Sequence, residues 1–420
     1  MEGKSLIKKI KNYNLIEKCR ISGNKDLIKI LDLGNQPLAN SLKTDQSEVK
    51  QKYPLSISYG KESSLIQLNE TVNKEILFDH YVWVTGTAKA TKKYSSIFCD
   101  RVILNTEANK DDLIIEIASN DGTFLKPFLK KGFKNILGID PAKNIAEIAN
   151  KDGVKTLPKF WQSDLAEKIN NEKGSAKIIF ARNVIPHVSE LLDVIKGIQI
   201  GLSNSGSGII EFHYSGKILD DLQYDSIYHE HLCYFSIKSM TYLLNQFSLH
   251  PYHVETSPIS GGARVIYFSK TIKKKSFELE QAIEIEKNKK INELSTWQNF
   301  ANKVTIHRQN TLDILNSLKG KKILGFGSSA RSQTYLNFCE VDNNQITAIV
   351  DNNPLKVGLF APGSSIPIVN LLDGLKLKPD IIFILAWNFL DEIVAECSSK
   401  GYRGKFLIPF PNKPFIQKNK

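Results

Sequence analysis

Leu113-Ile114-Ile115-Glu116-Ile117-Ala118-Ser119-Asn120-Asp121-Gly122, followed by Gly138-Ile139-Asp140-Pro141, is the stretch whose reading decides the fold. Residues 113–117 form a run short and apolar enough for a buried strand, and the run ends in small and polar residues. Small residues at the carboxyl end of a strand let the backbone come close to a ligand lying across the sheet edge. Roughly twenty residues on, Asp140 closes a second strand, 136–139, where a carboxylate accepts both ribose hydroxyl hydrogen bonds. The layout suits an adenosyl ligand. The Gly-x-Gly-x-x-Gly turn that cradles a dinucleotide pyrophosphate is missing, which favours S-adenosylmethionine over NAD. The plain alternative is a generic tight turn followed by a surface acid.

Outward from this core the same rhythm continues. Residues 123–131 read as a helix, and 177–181 and 208–212 as further buried strands, so a parallel sheet with covered faces is expected. Residues 277–318 are charged, lack Pro and Gly, and carry apolar residues at helical spacing, which predicts one or two connecting helices. A second alternation follows, with strands at 322–326, 346–350, 381–385 and 406–408 and a helix at 333–339. The first hundred residues are mixed, with strand-like runs at 27–31 and 65–68 and a loop at Gly34-Asn35-Gln36-Pro37. The expected class is α/β: two doubly wound Rossmann-like units in tandem, preceded by a small mixed N-terminal domain. The boundaries are placed at 1–80, 81–270 and 271–420, the last including the connecting helices.

The length, 420 residues, exceeds one ordinary core. Apolar content of 41% and charged content of 24% are those of a soluble globular chain. No run of about 18 uncharged apolar residues exists to span a membrane, and residues 1–11 lack the apolar centre of a secretion signal. The expectation is a cytoplasmic protein without a membrane partner, monomeric or homodimeric. The net charge of +12 admits nucleic acid as a partner, but the lysines are scattered and not interleaved with aromatics. Solvated surface is the simpler reading, and no nucleic-acid partner is expected. The five cysteines, Cys19, Cys99, Cys233, Cys339 and Cys397, form no Cys-x-x-Cys pair.

Asp225-Ser226-Ile227-Tyr228-His229-Glu230-His231-Leu232-Cys233-Tyr234-Phe235-Ser236 packs ionisable and aromatic groups into one short segment. Burying such a cluster is costly unless its members are paired, and perturbed groups of this kind concentrate at functional sites. Acid–base chemistry, a satisfied structural network and His-x-His metal binding are the competing readings. Asn183-Val184-Ile185-Pro186-His187 follows the strand at 177–181, so its polar groups fall at the same sheet edge, or serve as a helix cap. Ser260-Gly261-Gly262-Ala263-Arg264 offers backbone N–H groups and a fixed cation, or is a hairpin turn. Gly325-Phe326-Gly327-Ser328-Ser329-Ala330-Arg331 resembles a degraded dinucleotide loop, with Asp351 closing the next strand. It either binds a second nucleotide or belongs to a unit that only closes the cleft.

Together with Leu33 to Asn40, Tyr53-Pro54-Leu55, Pro362-Gly363, Ile366-Pro367-Ile368 and Trp387-Asn388, these pieces resemble the sugar C-methyltransferase family, which methylates C-3 of dTDP-4-keto-6-deoxy sugars. The resemblance implies an S-adenosylmethionine pocket at Glu116, Ala118, Ser119, Asn120, Asp121, Gly122, Asp140, Pro141 and Asn183. It implies His231 as general base with Glu230 and Tyr228 beside the sugar, and substrate contacts from Tyr81, His187, Tyr228, His229 and Arg264. Three departures stand out. Family members bind zinc through four N-terminal cysteines, whereas here Cys19 is joined by Ser22, Gly60 and Ser63, so no zinc is expected. The glycine expected after Glu-Ile is Ala118, and the family's His-Gly-Gly-Ser reads Ser260-Gly261-Gly262-Ala263.

The mechanism so implied is removal of the C-3 proton by His231, with the charge spreading onto the C-4 ketone oxygen. Histidine is the side chain suited to this near neutral pH. Glu230 orients the imidazole or donates toward oxygen, while Tyr228, His187 or Arg264 stabilises the enolate. The partner is a nucleotide-sugar, dTDP- or another NDP-4-keto-deoxyhexose. Competing readings are an O-methyltransferase acting on a sugar hydroxyl, a non-catalytic nucleotide-sugar binding protein, and a nucleic-acid methyltransferase prompted by the charge alone.

Overall fold

The computed structural model describes residues 12–73, 76–77, 85–87, 89–259 and 261–418. Tyr81 and Ser260 lie outside the described residues. The central sheet has seven strands. In spatial order they are Thr156–Leu157, Ile136–Ile139, Ile114–Ile117, Ala176–Arg182, Leu202–Phe212, Arg264–Ser269 and His250–Thr256. The first five are mutually parallel, and Arg264–Ser269 runs antiparallel to both of its neighbours. The chain winds outward from Ile114–Ile117 in one direction and then returns to build the other half. That reversal opens a crevice beyond the carboxyl ends of Ile114–Ile117 and Ala176–Arg182. All four residues of Ile114–Ile117 are buried, as a strand covered on both faces requires.

A second sheet of six strands forms the C-terminal unit. Its order is Ile368–Val369, Ala348–Val350, Ile323–Phe326, Ile381–Ile384, Lys405–Ile408 and Phe415–Lys418, with only the last strand antiparallel. The α/β class and the two doubly wound units are thus as expected. In the N-terminal unit, Leu27–Pro37, Lys52–Gly60 and Ile66–Leu68 form an antiparallel sheet. Its edge strand, Cys233–Tyr234, comes from far along the chain and pairs with Ile66 and Gln67. The segment singled out for its histidines is therefore built into the N-terminal sheet while remaining connected to the central one. No helix among the described residues is long and apolar enough to cross a membrane.

Local chemistry moved several expected boundaries. Residues 122–125 form turns and the helix is only Lys126–Lys130, because Pro127 has no N–H to give and is tolerated only in a first turn. The helix expected at 333–339 is Ala330–Phe338, begun by Ser329, whose hydroxyl accepts from Ser332 N in a reciprocal capping box. The connecting region is two helices, Phe277–Asn288 and Leu294–Ser317.

The first connecting helix is tied to the central unit by a buried acid. Glu286 is 3% exposed, and its carboxylate accepts from Ile237 N (2.6 Å), Lys238 N (3.2 Å) and Asn292 Nδ2 (2.9 Å). Two of these donors belong to the otherwise unpaired start of helix Ile237–Asn245. Glu286→Ala should lower the unfolding free energy by about 2–4 kcal/mol, through the loss of charge-assisted bonds and the stranding of their donors. Urea titration of the two proteins measures this. A difference below about 0.5 kcal/mol would show that water replaces the carboxylate without loss.

Candidate active site

The loop after Ile114–Ile117 is held in an unusual conformation. Ala118, Asn120 and Gly122 have φ of 55°, 49° and 73°. A Cβ on Gly122 would lie 2.7 Å from Val154, so that position needs glycine both for its backbone and for its space. Ala118 adopts the left-handed conformation without that freedom. The side chains of Asn120 and Asp121 face the segment 85–87. Asn120 Oδ1 accepts from Thr85 N (2.9 Å), and Asp121 Oδ2 accepts from Gly86 N (3.1 Å). These two residues fasten the segment that lies against the loop.

Asp140 joins the two strand ends. Its Oδ2 accepts from Asn120 N (2.8 Å) and its Oδ1 from Ala142 N (3.0 Å). Burial raises its pKa despite these bonds. Neighbouring Pro141 is exposed. Glu116 is buried at 3% exposure, and burial pushes its carboxyl well above the usual range. Glu116 Oε2 and Ser119 Oγ are buried without a hydrogen-bond partner among the described residues. Buried acceptors are normally satisfied. A ligand carrying an ammonium group and ribose hydroxyls, as S-adenosylmethionine does, supplies donors of the kind this pocket lacks.

Beside this pocket, at the ends of the next two strands, three imidazoles meet. His187 follows Ala176–Arg182 through Asn183, whose φ is 50° and whose N–H donates to the Glu211 carbonyl (2.8 Å). His213 follows Leu202–Phe212 directly, and its Nε2 pairs with Gln223 Oε1 (3.0 Å). His231 stands between them, 4.8 Å from the His187 ring and 6.2 Å from that of His213. The Tyr228 ring lies 4.0 Å from His231 and the Tyr234 ring 6.2 Å. His231 Nδ1 is 2.8 Å from the Ser226 carbonyl oxygen. A carbonyl can only accept, so Nδ1 carries the proton and Nε2 keeps its lone pair. Burial lowers the pKa of all three. His187 and His213 are pushed down to about 4, and His231 falls well below its usual value, with His187, His213 and Arg331 adding to the effect. The cluster is neutral near pH 7, and His231 is in proton-accepting form. No group of three or more His, Cys, Asp or Glu among the described residues is arranged to hold a metal.

Other expected members stand elsewhere. A tight turn, closed by His231 N donating to the Tyr228 carbonyl (2.9 Å), sends His229 and His231 in different directions. His229 Nε2 donates to the Pro54 carbonyl (3.1 Å), and its ring packs edge-on against Tyr53, so it supports the N-terminal sheet and not the histidine cluster. Glu230 does not orient His231; the Ser226 carbonyl does. The Glu230 carboxyl, its pKa raised by burial, accepts from Asn40 Nδ2 (2.6 Å). Arg264 lies opposite Phe212, but its guanidinium reaches Thr256 Oγ1 and sits 4.9 Å from the Tyr214 ring centroid. It opens onto a polar cavity of about 420 Å³ that is also lined by Arg101, His253, Glu255 and Glu278.

Several residues escaped the sequence reading. His213 carried a usable signal, since it is the first residue beyond a buried strand. Arg182 and Glu211 form a buried ion pair (2.7 Å), with the Arg182 guanidinium 3.2 Å from the Phe124 ring centroid. In the N-terminal unit, Cys19 Sγ is 3.1 Å from Ser63 Oγ, and a Cβ at Gly60 would come within 3.1 Å of both atoms. Positions 19, 60 and 63 do converge. However, one thiol, one hydroxyl and a residue with no side chain are not a thiolate donor set for tetrahedral zinc.

Three family models match consecutive stretches of the chain. A "Putative zinc binding domain" covers residues 19–78, a "Methyltransferase domain" 92–254 and a "C-methyltransferase C-terminal domain" 258–411. The C-methyltransferase NovU of Streptomyces niveus is 27% identical over 410 residues, 96% of this chain and 97% of that protein. Among solved structures, the PH0226 protein of Pyrococcus horikoshii OT3 aligns at TM-score 0.38 and 13% identity, covering 47% of this chain and 99% of that one. An S-adenosylmethionine-dependent methyltransferase of Clostridium acetobutylicum aligns at TM-score 0.34 and 12% identity, over 47% and 95% of the two chains.

The buried imidazoles make stability depend on pH. His187, His213 and His229 are each depressed to about 4 in the folded chain, against 6.5 when unfolded. Below pH 6.5 the unfolded chain binds more protons, so stability complete above that value is lost progressively toward pH 4. The urea midpoint should therefore fall between pH 7 and pH 5. His229→Gln, whatever its stability at pH 7, should show a shallower fall. A midpoint constant from pH 7 to 5 would contradict burial of these rings in the neutral form.

Proposed function

We propose that the chain is an S-adenosylmethionine-dependent C-methyltransferase that methylates the carbon beside the ketone of a nucleotide-linked 4-keto-deoxysugar, a reading supported by the three consecutive family models and by the likeness to NovU. The observation that carries this reading is His231, a neutral imidazole whose Nδ1–H is fixed on the Ser226 carbonyl and whose Nε2 is left to accept a proton. A carbon acceptor needs such a base, because a C–H beside a ketone must lose its proton before the carbon becomes nucleophilic.

Glu116, Ser119 and Asp140, with the backbone of 118–122 and Asn183, would hold S-adenosylmethionine. When bound it supplies the electrophilic methyl group. His231 Nε2 takes the proton from the sugar carbon. Burial disfavours the resulting imidazolium, and the enolate charge formed next to it offsets that penalty. Tyr228, packed on the His231 ring, donates toward the enolate oxygen, where negative charge develops. His187, held neutral, excludes water from the base. Asn183 and the 85–87 segment, which is fastened to Asn120 and Asp121, would border the two bound ligands, and fixing both reactants there would contribute much of the rate.

Incubation in heavy water with S-adenosylmethionine and a dTDP-4-keto-6-deoxyhexose tests the reading. Mass spectrometry should show one methyl gained on the sugar and deuterium entering unreacted substrate. His231→Ala should abolish both while S-adenosylmethionine affinity stays within about threefold of wild type. Methylation of a hydroxyl without deuterium entry would make this an O-methyltransferase.

We also propose that the N-terminal unit is held by packing and the Cys19–Ser63 contact, without zinc. Purified protein should contain well under one zinc per chain, and a chelator should leave its melting temperature unchanged. Stoichiometric zinc whose removal unfolds the chain would refute this.

A further inference from the structure

Asp225 begins the segment that carries His231, and its carboxylate is held entirely from the C-terminal unit. The side chain is 2% exposed. Arg331 Nε donates to Oδ2 (3.0 Å), Arg331 Nη2 to Oδ1 (2.8 Å) and Trp387 Nε1 to Oδ2 (2.9 Å). The Arg331 guanidinium also lies 5.1 Å from the Trp387 ring centroid, which limits its own freedom. One residue earlier, Tyr224 is buried and its hydroxyl meets His307 Nδ1 (2.9 Å), while His307 Nε2 donates to the Pro409 carbonyl (2.7 Å). One residue later, Ser226 N and Ser226 Oγ both donate to the Gln223 carbonyl (3.0 and 2.6 Å). With its donors occupied and Asp225 clamped, the Ser226 carbonyl is presented to His231 Nδ1.

We propose that Arg331 is a positioning residue for His231: its two-pronged bond to Asp225 fixes the Ser226 carbonyl that sets the imidazole's tautomer and direction. The inference rests on His231 being the base. A buried ion pair contributes little net stability compared with apolar residues of the same shape. A two-pronged Arg–carboxylate pair does fix orientation, and a lysine does not reproduce it. The C-terminal unit thereby sets the geometry of the base through the backbone of residues 225–226. Arg331 is also a cation whose charge disfavours protonation of both His213 and His231. The groups facing His231 are His187, His213, Tyr228, Tyr234 and Arg331, and Asp225 faces His213 from the same segment.

The test compares wild type, Arg331→Lys, Arg331→Gln, Trp387→Phe and His231→Ala. Each is read by deuterium entry into dTDP-4-keto-6-deoxyhexose and by methyl transfer across pH. Arg331→Lys keeps the charge but not the geometry. Its kcat should fall about a hundredfold, the size expected for a small misplacement of a catalytic group, with S-adenosylmethionine affinity unchanged within about twofold. Arg331→Gln should lose at least as much. In addition, the acid limb of its kcat/KM profile should move to higher pH, because the cation that opposed protonation of His231 is gone. A purely structural role would reduce the yield of folded protein and leave that limb in place. If Arg331→Gln does not fold, Trp387→Phe, which removes one donor from Asp225, should still lower kcat without weakening S-adenosylmethionine binding. Wild-type kcat and pH profile in Arg331→Lys and Trp387→Phe overturn the inference. Deuterium entry undiminished in His231→Ala would instead overturn the base assignment on which it rests.

Discussion

A carboxylate as deeply buried as that of Asp225 must be paired, and its partners come from another unit of the chain. This requirement sets the architecture around residues 224–235. Tyr224 and Asp225 are tied to the C-terminal unit, His229 to Pro54, and Cys233–Tyr234 to the N-terminal sheet. Leu232 N donates to Pro186 O and Ser215 N to Phe235 O, which returns the segment to the central sheet. Twelve residues thus connect all three units. His231 sits where the ties converge, so its position depends on the assembly of the whole chain.

The two doubly wound units repeat one device and use it differently. Asp140 Oδ2 accepts from Asn120 N at 2.8 Å, and Asp351 Oδ2 accepts from Ser328 N at 2.9 Å. Each acid also takes the N–H two residues on, from Ala142 and Asn353. In both units the acid ending the second strand pins the loop after the first. However, Asp351 also receives Lys356 Nζ at 3.4 Å, and the same ammonium bonds the Ser328 carbonyl at 2.7 Å. Lys356 thus occupies the loop and its acid from within. Asp140 has no cationic partner among the described residues, and Glu116 beside it is left with an unsatisfied oxygen. Of the two similar scaffolds, only the C-terminal one among the described residues answers its acid with a cation from its own loop region.

What was legible in the sequence follows the range of each interaction. Strands 136–139 and 114–117 announce themselves because burial on both faces demands an apolar run, and a run is a local pattern. Pro127 and Ser329 likewise act within one turn, so both helix starts are encoded locally. Side-chain direction was less accessible. His229 and His231 are two residues apart and would share a face of a strand, but a tight turn separates them. The Ser226 carbonyl that orients His231 is main chain, and no residue type encodes it. Arg331 and Asp225 are 106 residues apart, and neither neighbourhood signals the other. The converging pair Cys19 and Ser63 could be suspected only through a family pattern, since 44 residues and a strand pairing lie between them.

Burying three imidazoles against one another is unfavourable for a protein under selection for stability alone. Each ring forgoes hydration, and protonating one makes protonating its neighbours harder. Apolar residues of similar size would pack as well and would carry no such penalty in acid. The arrangement makes sense when the neutral form is what is required. Crowding keeps His231 unprotonated at neutral pH, and the Ser226 carbonyl selects which nitrogen keeps its lone pair. Two constraints, one electrostatic and one geometric, therefore act on the same ring. The first is supplied mainly by the central unit, through His187 and His213. The second, as proposed for Arg331, runs through Asp225 to the C-terminal unit, and it gives that deeply buried pair a task beyond joining the two units.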